Sequence, residues 1–81
     1  MIIRLRRYVE HETIGDDGTI TVTQELVLDK GLRVHVIPRT GEYVGYDRYE
    51  GGKSFMVKSV EHVVHLSARP EADHTVIVVL A

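Results

Sequence analysis

The feature that most constrains this chain is a two-residue alternation carried by β-branched side chains. Along the first segment Ile3, Leu5, Arg7 and Val9 share one parity, and Arg4, Arg6, Tyr8 and Glu10 share the other. Successive side chains of a strand point to opposite faces, so the pattern predicts a strand with one apolar face and Arg7 as its misfit. Asp16-Asp17-Gly18 follows, and Asp-Gly between two β-rich segments is a strong hairpin signal. The next segment, Thr19 to Leu28, sets Ile20, Val22, Leu26 and Leu28 inward and Thr21, Thr23 and Glu25 outward. Gln24 interrupts the apolar parity, which marks a bulge or a polar spot in the core.

Asp29-Lys30-Gly31 reads as a second tight turn. Leu32, Val34 and Val36 then share a face until Pro38 ends the strand by removing a ladder donor. Two hairpins in succession predict a three-stranded meander. Residues 39–52 are less regular, with a turn at Arg39-Thr40-Gly41-Glu42, a short strand within Tyr43 to Tyr49, and a turn at Glu50-Gly51-Gly52.

Ser54 to Leu66 has the composition of a long strand. Phe55 and Val57 lie on one parity and Val60 and Val64 on the other, which a β-bulge near Lys58 or Ser59 reconciles. The alternative is a helix over 54–66, because Met56, Val60, Val63 and Val64 also fit a 3.6-residue period. The valine content favours the strand. After a polar connection from Ser67 to Asp73, the last segment, His74 to Leu80, is apolar on both faces: Val76, Val78 and Leu80 on one, Ile77 and Val79 on the other. A strand of that kind is central or lies at an interface.

The 81 residues, 43% hydrophobic and 27% charged, make one globular domain spanning 1–81. The fold expected is mainly β: a small, strongly bent antiparallel sheet or barrel of five to six strands, with α+β as the alternative if 54–66 is helical. In strand number, strand length and meander order the pattern resembles the SH3-like small barrels. That resemblance rests on no diagnostic motif, and such barrels host many functions. A chain this short buries only roughly 60–65% of its unfolded surface, and oligomerisation is a common supplement to so small a core.

Several function classes lose support. The absence of cysteine removes disulfide scaffolds, thiolate metal sites and cysteine nucleophiles. The longest apolar run, Thr75 to Ala81, is far below the roughly 20 residues of a membrane span. Arg4, Arg6 and Arg7 interrupt the apolar start, so no secretory leader is expected and a cytoplasmic address is. A net charge of −2 gives no global attraction to nucleic acid or to acidic membranes. Arg4 and Arg6, with Arg33 or Arg39 nearby, form a basic stripe, but Glu10, Glu12, Asp16 and Asp17 follow on the same hairpin, and Glu25 offers a cross-strand partner.

The five histidines, His11, His35, His62, His65 and His74, show no metal-ligand spacing, and His62 and His65 fall on opposite faces of a strand. Asp47, Glu42, Glu61, Ser54, Ser59 and Ser67 stand in no catalytic motif, and Gly51-Gly52-Lys53-Ser54 lacks the earlier glycine of a phosphate loop. No enzyme, cofactor or metal site is expected. Two surfaces are candidates for partners. Ile77 and Val79 form the apolar back of the last strand, which self-association, as a dimer, would cover. Tyr43, Tyr46, Arg48 and Tyr49 form an aromatic patch suited to stacking a small ligand, a peptide or single-stranded nucleic acid, the alternative being rings that cap the end of the core with their hydroxyls in water. The leading expectation is a non-enzymatic self-associating module. The alternatives are a structural accessory protein of a phage or other mobile element, and a small-ligand binder using the tyrosines.

Overall fold

The computed structural model describes residues 1–64 and 74–81. The chain is mainly β, with five strands: β1 (Ile2–Ile14), β2 (Ile20–Arg33), β3 (Tyr43–Gly45), β4 (Ser54–Val64) and β5 (His74–Leu80). One short 3₁₀ turn at Glu50–Gly52 precedes β4. The strands form a single sheet in the order β2-β1-β5-β4-β3. The β1–β2, β4–β5 and β3–β4 pairs are antiparallel, whereas β1 and β5 run parallel, so the sheet is mixed. The expected small sheet of five strands is present, but its edges, β2 and β3, do not pair with each other, so it is open and not a barrel, and the β1–β5 pair makes it mixed and not purely antiparallel.

Residues 54–64 are strand and not helix. The parity switch inside β4 is resolved by a bulge at Lys58: Val57 pairs with Leu80 and Ser59 with Val79. Val57 and Val60 thereby both reach the core side. β5 is central, paired on one edge with β1 and on the other with β4.

The second turn expected at Asp29-Lys30-Gly31 is absent. Those residues lie inside β2, opposite Arg6, Leu5 and Arg4 respectively. The reason lies in β1, which continues unbroken down to Ile2 and offers ladder partners as far as Arg33. Asp29 is held in the strand by Arg4 Nε at 2.7 Å and Arg6 Nε at 3.3 Å. Val34 to Pro38 therefore forms no third meander strand, although Val34 and Ile37 still pack on the core.

A second correction concerns β2. Arg7 pairs with Leu28 but Tyr8 pairs with Leu26, leaving Val27 as an extra residue. The irregularity sits at Val27 and not at Gln24, and it splits one even-numbered parity between two faces. Leu28 turns to the core, while Leu26, Gln24, Val22 and Ile20 turn to the opposite face beside Tyr8, Glu10, Glu12 and Ile14.

The core is small and one-sided. Ile3, Leu5, Val57, Val76, Val78 and Leu80 are fully buried. Leu28, Leu32, Val34, Ile37, Val44, Tyr46, Phe55 and Val60 pack around them. Arg7, the misfit of the first strand, ends this core. Its guanidinium lies 4.3 Å from the centre of the Phe55 ring, and it donates to the Ala81 carbonyl (2.9 Å) and to the Tyr49 hydroxyl (3.1 Å). A cation spread over an aromatic face, with its donors satisfied, is tolerated where a lone charge would not be.

Candidate functional site

The back of the sheet is defined by register. Arg4 lies opposite Ile77 and Arg6 opposite Val79 on β5, while Glu61 and Ser59 flank the same two residues on β4. These six side chains share a face that carries no second layer among the described residues, and Ile77 and Val79 are only partly buried there. The apolar pair predicted for a partner thus sits at the centre of the open face, bordered by polar groups on both sides.

That face continues onto a projecting arm. The β1–β5 ladder ends at Arg7 opposite Leu80, whereas β1 and β2 remain paired out to Ile14 and Ile20. From Tyr8 outward the hairpin has no neighbour on its β1 edge among the described residues. On the face shared with Ile77, the arm exposes Ile14 (74%), Ile20 (62%), Val22 (54%) and Leu26 (45%). A cleft of about 650 Å³ opens at its base, between Tyr8, Glu10 and Gln24 on the arm and Met56, Lys58 and Ser59 on β4.

The electrostatics of the open face centre on Asp29. Hydrogen bonding from Arg4 lowers its pKa most, desolvation opposes that shift, and the bond from Arg6 and the two positive charges lower it further. Arg6 is raised, because its hydrogen bond and Coulomb attraction to Asp29, with help from Tyr8, together outweigh its own desolvation. Glu25, the other cross-strand candidate, instead meets His11 at 2.7 Å.

The aromatic patch does not assemble as one surface. Tyr46 packs on the core, and Tyr49 sits against Phe55 with ring centres 5.7 Å apart. Tyr43 lies opposite Met56, on the other face from Val44 and Phe55, and is 71% exposed. Arg48 is exposed in the loop between them. The turn that follows needs left-handed backbone at Gly51 (φ 65°) and Gly52 (φ 82°), which explains the glycine pair without a phosphate ligand.

The histidines are dispersed except for one pair. His62 Nδ1 and His74 Nε2 are 2.9 Å apart across β4 and β5, with ring centres 5.1 Å apart. No spacing in the sequence announced this contact, because it depends on the β4–β5 register, which sets His62 opposite Val76 and so beside His74; His65 lies outside the described residues. Among the described residues no three His, Asp or Glu side chains converge as a metal site. No helix among them is long and apolar enough to cross a membrane. Comparisons with protein-family models, curated proteins and solved structures find no match to this chain.

Proposed function

We propose that this chain is a non-enzymatic interaction module that associates with itself through the open face centred on Ile77 and Val79. The observation that carries the reading is the one-sided core. A central strand with apolar residues on both faces is packed by the described residues on one face alone. A sheet in water keeps one face polar, and here the middle of the uncovered face is Ile77 and Val79.

The surface area supports the same reading. A folded monomer of 9.2 kDa exposes about 4,900 Å² by the usual scaling with mass. This chain exposes 6307 Å². The surplus exceeds the roughly 800 Å² that each partner contributes to a standard interface. The test is substitution at the centre of the face. Ile77→Glu or Val79→Glu gives a folded monomer by size-exclusion chromatography with light scattering, while the unmodified protein gives a multiple of 9.2 kDa. An unmodified protein that stays monomeric at high concentration overturns the proposal.

The projecting arm favours a second reading, a structural subunit of a phage or other mobile element that builds rings or tubes. An arm without internal support is suited to reaching a neighbour, since an isolated two-stranded hairpin is barely stable in water. Masses well above a dimer in the same experiment would favour this reading, and a closed dimer would count against it.

A further inference from the structure

The charges on the open face are arranged in a way that specifies how a second copy docks. Between Tyr8 and Leu28 the arm carries five acidic residues, Glu10, Glu12, Asp16, Asp17 and Glu25, and no lysine or arginine. All ten lysines and arginines of the chain lie outside that span. Along the open face of β1 itself the order is Arg4, Arg6, Tyr8, Glu10, Glu12. Reversed in direction, this series is its own complement: Arg4 meets Glu12, Arg6 meets Glu10, and Tyr8 meets Tyr8.

We infer that two copies pack sheet against sheet about a two-fold axis near Tyr8, each laying its acidic arm over the basic half of the other. The inference rests on the self-association proposed above and names its geometry. The apolar residues of the arm take part in the same contact. Under the operation that sets Arg4 over Glu12, Leu26 meets Leu26 of the second copy, Val22 lies over Gly31 and Ile20 over Arg33, while Ile77 and Val79, on the opposite side of β1, border the contact. Because arm and body belong to one face of one sheet, a single two-fold operation covers both at once. Such an isologous contact closes at two subunits, whereas a head-to-tail contact would leave one arm and one body uncovered at the ends.

Asp29 does not remove the attraction. It is one carboxylate shared by two guanidiniums, so a positive charge remains on the body side of the face. Lys58 adds another at the mouth of the cleft, offset in part by Glu61. Packed sheets lie about 10 Å apart, within reach of arginine and glutamate side chains extending from opposite sides.

The absence of cysteine makes the test direct. Glu25→Cys places a spin label beside the axis and on the reverse face of the sheet, outside the contact. Asp17→Cys places one at the tip of the arm. At about 3.3 Å per residue, pulsed dipolar spectroscopy on each variant should give a short distance for Glu25, under about 30 Å, and one above about 40 Å for Asp17. Glu10→Arg should weaken association by about tenfold or more through like-charge contact with Arg6, and adding Arg6→Glu in the same chain should restore much of it. A short distance at the tip with a long one at Glu25, in a protein that still associates, overturns the docking geometry and leaves self-association standing. Monomeric mass with no dipolar coupling removes both.

Discussion

At the residue scale, stability is concentrated in a few positions. Leu5 is completely buried among Ile3, Val57, Val76, Val78 and Leu80. Leu5→Ala should cost about 2–5 kcal/mol in urea unfolding, a large share of what so small a core supplies. Ile14→Ala on the exposed arm should change monomer stability by less than about 0.5 kcal/mol under the same conditions. Arg7→Leu keeps apolar contact with Phe55 but loses the bonds to Ala81 and Tyr49, and should cost about 1–2 kcal/mol. Asp29 makes a prediction about pH. Its pKa is lowered in the folded state, first by the Arg4 hydrogen bond, so it stabilises above its unfolded value of about 3.9 and loses that contribution as pH falls through the folded value. The stability gap between the unmodified protein and Asp29→Asn, measured by urea unfolding, should therefore be open at pH 6 and close toward pH 2. A gap that widens in acid would refute the assigned ion pair.

At the scale of elements, the strands and the bulge in β4 were legible because alternation and its interruption are local properties of the chain. β5 announced its central place by being apolar on both faces. The failures came where pairing overrides local turn chemistry. Asp29-Lys30-Gly31 has turn composition, but a partner strand with two arginines opposite keeps it extended. The bulge at Val27 was hidden because Ile20, Val22, Leu26 and Leu28 all sit at even positions and the visible interruption is at Gln24, and only the β1 register shows that Leu28 faces one way and Leu26 the other. The candidate surface was half legible. Ile77 and Val79 could be named from their strand, but the arm's contribution to the same face depends on that bulge, and the separation of Tyr43 from Tyr46 and Tyr49 depends on pairing with β4. A deletion tests the bulge. Removing Val27 leaves Arg7–Leu28 and Tyr8–Leu26 as consecutive pairs with every side chain on its present face. The variant should fold with stability within about 1 kcal/mol of the parent, read by thermal unfolding. Collapse of the fold would show that the extra residue is required.

At the scale of the whole molecule, the shape is unusual for its length. The radius of gyration is 16.1 Å and the longest dimension 54 Å. A compact chain of this size has a radius of gyration near about 12 Å. The difference reflects an arm that extends beyond the core and a sheet that the described residues cover on one side. The arm follows from β1 and β2 running on past the end of β5, the strand that pairs with β1. Exposed edges and apolar faces invite uncontrolled aggregation unless a specific partner covers them. Association driven partly by Arg–Glu contacts should weaken as salt rises from about 0.01 to 0.5 M, as the screening length contracts to a few ångströms. The most direct measurement is sedimentation equilibrium of the unmodified protein across a hundredfold range of concentration. Covering of the open face by a second copy predicts a mass rising from 9.2 kDa to twice that value and stopping there. A mass that stays at 9.2 kDa over the whole range would contradict it.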